Sequence, residues 1–305
     1  MRVLIIGAAG YIGSRVYEYL LKVQGFEVYG VDIGWFGIAP QGVMRRDYNT
    51  LHIKFIQAFD AVILLAGHSS VGMCVDNPYS VHHNNVLNFL ELLGYIKSRQ
   101  KLIYASSASV YGSNNIAAIE GRENFYPRSH YDLSKFNRDC FARLSDVDYY
   151  GLRFATVCGF SPNFRSDTII NSMTMNALKE KVVKLANSDK FRSILDIKDL
   201  CAAIHLILTM PGSVRGIYNL ASYSASIGEL ATDVARLTDS RIEPVRLSTN
   251  YSFQLNTARF EQQFLFAPQG TTKSIVLDLI KHKQDIEQQI ETKDTTRSKR
   301  LLYAG

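Results

Sequence analysis

Residues 3–13 read Val3-Leu4-Ile5-Ile6-Gly7-Ala8-Ala9-Gly10-Tyr11-Ile12-Gly13, an apolar run that breaks into glycines and then opens a helical pattern over Tyr11–Val23. A short apolar run closed by a turn reads as a buried strand. Glycines at that junction allow a turn too tight for side chains and let the backbone approach a pyrophosphate. The helix that starts there offers the same anion its free N–H groups and the positive end of its dipole. Val28–Val31 reads as a second strand, and Asp32 ends it 19 positions beyond Gly13. An acid about 20 residues past the glycines is placed to bind the ribose hydroxyls of an adenine dinucleotide. It also repels the additional phosphate of NADP, and the residues that follow, Ile33-Gly34-Trp35, contain no arginine. The pattern predicts NAD.

The alternation continues outward from this unit. Ala61–Ala66, Leu102–Ala105 and Tyr149–Phe154 have the length and composition of strands, with helical patterns at about Tyr79–Lys97 and His130–Leu144 between them. Strands alternating with helices make a parallel sheet covered on both faces. Right-handed crossovers make it doubly wound, so a Rossmann-type α/β fold is expected. After Gly159 the regularity weakens. Pro162, Asn163 and Arg165 mark a loop, Thr168–Glu180 and Ile197–Leu208 read as helices, and Tyr218–Ala221 as a short strand. Ser226 and Glu229, three apart before an apolar-periodic run, form a capping-box signature. The expected organisation is an NAD-binding Rossmann domain over 1–160, rejoined by 195–221. A smaller α/β substrate lobe is expected from 161–194 and 222–292, and a polar, basic tail over 293–305 should fray.

Composition sets the class. The 305 residues are 47% hydrophobic and 20% charged, ordinary for a globular chain. The net charge of +6 suits an anionic substrate such as a nucleotide diphosphate. Outside the tail the Lys and Arg residues are dispersed, which argues against nucleic acid as a partner. Cys74, Cys140, Cys158 and Cys201 form no C-x-x-C pair, so neither a metal nor a dithiol centre is expected, and wide spacing suits reduced cytosolic thiols. No apolar run approaches the ~20 residues of a membrane helix. The first apolar run is too short for a signal peptide, and a soluble, cytoplasmic protein is expected.

Tyr131-Asp132-Leu133-Ser134-Lys135 sets Tyr131 and Lys135 one helical turn apart on one face. A tyrosine ordinarily titrates near ~10, and a neighbouring ammonium lowers that value by stabilising phenolate. Such a pair can exchange a proton with a substrate hydroxyl. Upstream, Leu102-Ile103-Tyr104-Ala105-Ser106-Ser107-Ala108-Ser109-Val110-Tyr111-Gly112 puts a serine cluster just past a strand's carboxyl end, where open α/β sheets bind ligands.

These motifs, with Leu65-Ala66-Gly67 and Leu152-Arg153-Phe154, resemble the extended short-chain dehydrogenase/reductase family, most of all its UDP-galactose 4-epimerase branch, to about Asp278. The resemblance implies a catalytic Ser107, an acid/base Tyr131 and its partner Lys135. For NAD it implies Gly7, Gly10, Tyr11, Ile12, Gly13 and Asp32, with Asp47 and Tyr48 at the adenine and Leu65, Ala66, Gly67 and Asn85 on the nicotinamide side, where Tyr131 and Lys135 also stand. For the substrate it implies Ser69, Ser107 and Ser109, with Asn171, Arg192 and Arg246 at the diphosphate, whose oxygens match guanidinium forks. Where the family's dehydratases carry an Asp-Glu pair after the catalytic hydroxyl residue, this chain has Ala108-Ser109 and no acid to protonate a leaving hydroxyl. Thr249 stands where an aspartate often bonds the nucleotide ribose, His68 reads as a polar loop residue, and Cys158 as a packing thiol.

The implied activity is NAD-dependent epimerisation of a nucleotide-diphosphate sugar through a transient keto-sugar, with C4 as the expected position. A keto-sugar reductase using NAD(P)H is the alternative. A non-catalytic dinucleotide- or RNA-binding relative is a more distant one, against which the retention of Ser107, Tyr131 and Lys135 argues. The family's dimers imply a homodimer formed through the helices at Tyr79–Lys97 and His130–Leu144.

Overall fold

The computed structural model describes residues 1–36, 39–113, 116–121, 125–246 and 252–302, with the backbone alone for 293–302. Its first strand, β1 (Arg2–Ile6), is buried on both faces: Val3 and Ile5 enter the apolar cluster on one side, Leu4 and Ile6 that on the other. Burial on both faces is why its sequence is a continuous apolar run and not an alternating one. β2 (Glu27–Asp32) and β3 (Val43–Arg45) lie to one side of β1, and β4 (Ala61–Leu64), β5 (Lys101–Ser107) and β6 (Asp148–Phe154) to the other. β7 (Thr156–Cys158), β8 (Val182–Leu185) and β9 (Phe191–Asp196) leave the sheet, and β10 (Gly216–Leu220) returns to its edge. β11 (Tyr223–Ser226) and β12 (Arg241–Pro244) complete the strands.

Among the described residues the main sheet has seven parallel strands in the order β10-β6-β5-β4-β1-β2-β3. The direction in which successive strands are added reverses between β1 and β4, and at such a switch point a crevice opens beyond the carboxyl ends of the strands. The doubly wound Rossmann-type α/β fold expected from the sequence is thus present. Two smaller sheets, β11-β9-β7 and β12-β8, lie outside it.

The helices are α1 (Tyr11–Leu21), α2 (Ile53–Ile56), α3 (Pro78–His82), α4 (Asn88–Tyr95), α5 (His130–Arg143), α6 (Ile169–Glu180), α7 (Ile197–Thr209), α8 (Ile227–Thr238), α9 (Ala258–Phe264), α10 (Thr272–Lys281) and α11 (Lys283–Leu302). A third apolar cluster, with Ile170, Leu230, Val276 and Ile286, joins α6, α8, α10 and α11. The capping box at α8 is complete: Ser226 Oγ accepts from the Glu229 N–H at 3.2 Å, and Glu229 Oε2 accepts from the Ser226 N–H at 2.8 Å.

Several elements differ from expectation. The strand expected over Ala61–Ala66 stops at Leu64, because the N–H groups of Leu65 and Ala66 both donate to the Ile6 carbonyl and Gly67 then turns the chain at φ +135°. The helix expected over Tyr79–Lys97 is broken by a π-turn at His83–Leu87. From Lys293 to Leu302 the chain continues α11; this run contains neither Gly nor Pro. β3, β7, β8, β9, β11 and β12 carry no clear period-2 signal in the sequence and are seen only in the structure.

Beneath α5 lies a buried polar network. Arg153 Nε on β6 donates to Asp139 Oδ2 on α5 at 2.8 Å, and Tyr104 on β5 donates to Asp139 Oδ1 at 3.0 Å. Arg153 Nη1 donates to the Tyr111 hydroxyl at 2.5 Å, which donates to Asn219 Oδ1 on β10 at 2.6 Å. Both charged groups are fully buried, so removing one leaves the other uncompensated. Asp139→Ala is expected to lower the unfolding free energy in urea by about 3–5 kcal/mol. A loss under about 1 kcal/mol would mean that the pair does not hold α5 to the sheet.

Candidate active site

The glycine turn is a backbone-to-backbone contact. Gly7 has φ +93°, and a Cβ there would lie 2.4 Å from the Ala66 nitrogen; one on Gly13 would lie 1.8 Å from the Gly7 carbonyl oxygen. α1 starts directly after Gly10 with no side-chain cap, so the orphan N–H groups of its first turn, from Tyr11, Ile12 and Gly13, face the crevice mouth uncapped. This cradle fits a pyrophosphate. Asp32 stands beside it: its Oδ2 accepts from the Ala9 N–H at 3.0 Å and its Oδ1 from the Gly34 N–H at 2.7 Å.

Asp47 Oδ1 accepts from the Asn49 N–H at 3.0 Å and so caps the 3-10 turn Tyr48–Thr50. Tyr48 is buried, its hydroxyl has no partner among the described residues, and burial pushes it up to about 12. On the other side of the switch point, Leu65, Ala66 and Gly67 run from β4 toward α4. Asn85, inside the π-turn, holds this loop: its Oδ1 accepts from the His68 N–H at 2.8 Å, and its Nδ2 donates to the His68 carbonyl at 3.1 Å and to Ser134 Oγ on α5 at 3.0 Å. The π-turn gives Asn85 this inward direction, and such bulges recur at functional sites.

Ser107 ends β5, and its Oγ accepts from the Ser109 N–H at 3.2 Å, capping the 3-10 turn Ala108–Tyr111; the Ser107 and Ser109 hydroxyls lie 2.9 Å apart. α5 is started by Ser129, whose Oγ accepts from the Asp132 N–H at 3.1 Å. That start sets Tyr131 and Lys135 on the face toward β5. The Ser107 side chain lies close enough to the Tyr131 phenol to stabilise its ionised form, and Lys135 Nζ lies 5.6 Å from the centre of the Tyr131 ring. The structure therefore brings Ser107, Ser109, Tyr131 and Lys135 together.

Their electrostatics differ from the sequence-based expectation. Lys135 Nζ donates to the Ala105 carbonyl at 3.1 Å, not to Tyr131. Burial holds the Tyr131 phenol above its ordinary range, opposed by the Ser107 side chain and the Arg165 charge. Burial, and next the Arg138 guanidinium, push the Lys135 ammonium well below its ordinary range. Burial also lowers the His68 imidazole, with help from Lys135 and Arg138, and its Nδ1 accepts from Asn84 Nδ2 at 3.1 Å. Cys158 is fully buried and its thiol is pushed up to about 11, which suits a packing residue.

The expected substrate contacts are more scattered. Asn171 is fully buried: its Oδ1 accepts from the Gly159 N–H at 2.9 Å, and its Nδ2 donates to the Tyr11 hydroxyl at 3.1 Å and the Arg165 carbonyl at 2.8 Å. Here it braces the loop after β7 against the glycine turn and presents no face to the crevice. Arg192 Nη1 donates to the Phe191 carbonyl at 3.0 Å, and its guanidinium lies over Phe253. Arg246 is exposed just after β12, and the neighbouring Thr249 falls outside the described residues. Ser69 is exposed, and its carbonyl accepts from Arg165 Nη1 at 3.3 Å.

Four residues in this region escaped the sequence reading as site residues. Ser14 and Ser161 hydroxyls lie 2.8 Å apart, Ser161 Oγ donates to the Tyr11 carbonyl at 2.6 Å, and Asn163 Nδ2 donates to the Ala9 carbonyl. They tie the loop after β7 to the cradle. Arg165 reaches across the crevice from that loop, with Asp167 on its Nη2 at 3.0 Å and its charge acting on the Tyr11 and Tyr131 phenols. Small polar residues in a loop carry no periodic signal; the run Ser161–Arg165 could have been flagged only as a polar segment following a strand that ends near the crevice.

The family model for the NAD dependent epimerase/dehydratase family matches residues 3–221, more than half of the chain and all of the elements just described up to β10. The chain belongs to that family. As an epimerase/dehydratase family member it is 29% identical over 239 residues to the protein CapI of Staphylococcus aureus, covering 70% of this chain and 71% of that one. It is 28% identical over 255 residues to a UDP-glucose 4-epimerase of Yersinia enterocolitica, covering 73% and 75%. The crystal structure of the UDP-glucose 4-epimerase of Thermus thermophilus in complex with NAD matches with a TM-score of 0.76 at 25% identity, over 92% of this chain and 98% of that one. Family membership makes NAD the cofactor, and the glycine cradle fits it. Among the described residues no helix is long and apolar enough to cross a membrane.

Because the Gly13 position touches a carbonyl oxygen that belongs to the turn itself, it has no flexible neighbour to displace. Gly13→Ala is expected to reduce the NAD carried by the purified protein at least about tenfold, measured by mass spectrometry after denaturation. Unchanged NAD content would place the dinucleotide away from this turn.

Proposed function

We propose that the protein is an NAD-dependent epimerase of a nucleotide-diphosphate sugar that inverts C4 through a transient keto-sugar. The observation that carries this is the convergence of Ser107, at the carboxyl end of β5, with Tyr131 and, one turn along α5, Lys135, whose Nζ lies 5.6 Å from the Tyr131 ring and bonds the Ala105 carbonyl beside Ser107. NAD, when bound, supplies the hydride acceptor and donor at the sugar carbon. Tyr131 removes and returns the proton at the C4 oxygen, and Ser107 holds that oxygen in line with the phenol. Lys135, drawn from the Ala105 carbonyl toward the cofactor ribose and Tyr131, favours the phenolate. Arg192 and Arg246 hold the diphosphate, about which the keto-sugar turns to offer its other face. The sequence Ser107-Ala108-Ser109 offers no carboxylic acid to a leaving hydroxyl, which favours epimerisation over dehydration. The Yersinia and Thermus relatives, both UDP-glucose 4-epimerases, support the same reading.

We also propose that the protein pairs with a second copy through the face of α3, the π-turn and α5, where Tyr79, Leu87 and Leu133 are exposed. Light scattering is expected to give twice the chain mass, and a monomer at micromolar concentration would overturn this.

The enzyme reading is tested with a panel of UDP-hexoses followed by NMR. The expected result is C4 inversion with no net NADH. Tyr131→Phe is expected to lower kcat by about 10²–10⁴-fold while NAD stays bound. NADH accumulating with product would make the protein a dehydrogenase or reductase, and near-full activity of the variant would remove Tyr131 from the chemistry.

A further inference from the structure

The adenosine end of the cradle contains a cation that the order of the sequence hides. β2 and β3 pair in parallel, and their register sets Arg45 opposite Asp32. The Arg45 side chain folds back over the turn that follows Asp32: its Nε donates to the Ile33 carbonyl at 3.4 Å and would lie 3.1 Å from a Cβ on Gly34. Gly34, at φ +73°, is what leaves room for it. Any side chain at 34 would press on the guanidinium.

Two further observations separate Arg45 from an ordinary surface arginine. Among the described residues it has no carboxylate within ion-pair distance, whereas its neighbour Arg46 is committed to the Tyr48–Thr50 turn through Thr50 Oγ1 at 2.9 Å and the Thr50 carbonyl at 3.2 Å. The opposing acid is also partly engaged, since each Asp32 oxygen already accepts a backbone N–H, from Ala9 and Gly34. An acid at this place binds the 2′-hydroxyl of a ribose, and an arginine nearby accommodates a 2′-phosphate, for which the guanidinium fork is the matching donor. Both are present here, at one register position of the paired strands β2 and β3.

We propose that Arg45, seated over Gly34 beside Asp32, gives the adenosine end of the site a place for a 2′-phosphate, so that the protein accepts NADP as well as NAD. The proposal rests on the assignment of the Gly7–Gly13 turn and Asp32 to the dinucleotide. It separates two roles on two paired strands: Asp32 recognises the ribose hydroxyls, and Arg45 offers a 2′-phosphate its guanidinium.

The test is equilibrium dialysis of the purified protein against equimolar NAD⁺ and NADP⁺ until the bound composition stops changing, followed by denaturation and mass spectrometry of the released dinucleotides. Wild type is expected to hold the two within about tenfold of each other. Arg45→Ala is expected to shift the bound ratio toward NAD⁺ at least about tenfold, with Arg45→Lys between the two, because an ammonium keeps the charge and loses the fork. Asp32→Asn should shift the ratio toward NADP⁺. The proposal is overturned if wild type binds NADP⁺ more than about a hundredfold less than NAD⁺, or if Arg45→Ala leaves the ratio unchanged. Binding of neither dinucleotide would overturn the cofactor assignment itself. Arg45 is exposed, so the folded state survives these substitutions, as thermal unfolding would verify.

Discussion

The structure depends on three places at the switch point of the sheet where the chain approaches itself too closely for a side chain. Gly7 lies against the Ala66 nitrogen, Gly13 against the Gly7 carbonyl, and Gly67 against Asn85 Oδ1, where a Cβ would come within 2.4 Å. Together these contacts bring the start of α1 and the end of β4 close enough to form the two walls of one crevice. The crevice is therefore fixed largely by main-chain geometry, and side chains are added to it from the loops around.

The proposed catalytic set is positioned from below by a different kind of interaction. α5 carries Tyr131 and Lys135, and one turn further along it carries Asp139, which is locked to Arg153 and Tyr104 in the sheet. The network continues through Tyr111, the last residue of the turn that Ser107 caps, and so connects both halves of the Ser107–Tyr131 pair to one buried charge. Buried ion pairs are weak evidence of stability when compared with apolar packing, but breaking one is costly. The pair thus acts as a register pin: α5 cannot slide along β5 and β6 without exposing Arg153 to an apolar interior.

The loop after β7 forms the third side. Ser161, Asn163 and Asn171 fasten it to Ser14, Ala9 and Tyr11, and Arg165 crosses from it toward Ser69. The part of the chain with the weakest sequence signal is thereby held to the part with the strongest. Arg165 puts a positive charge next to Tyr131 that counters the effect of burial on its phenol. The end of β2 shows the same logic, with Arg45 carried to Asp32 by strand pairing over a separation of 13 residues.

What the sequence by itself determined was everything expressed in local order: the β1–glycine–α1 junction, the acid at the end of β2, the alternation that makes a doubly wound sheet, the capping box at α8, and the one-turn spacing of Tyr131 and Lys135. These are legible because periodicity, turn chemistry and helical spacing act over a few residues. Tertiary structure decided what depends on partners distant in sequence. It alone turned Asn85 inward through a π-turn, buried Asn171 as a brace, drew Lys135 to the Ala105 carbonyl, set burial against charge at Tyr131, and set Arg45 opposite Asp32 and Arg165 near Tyr131. A side chain's pKa and its neighbours are set by desolvation and by groups brought up from other strands, and neither is encoded in the spacing along a single segment.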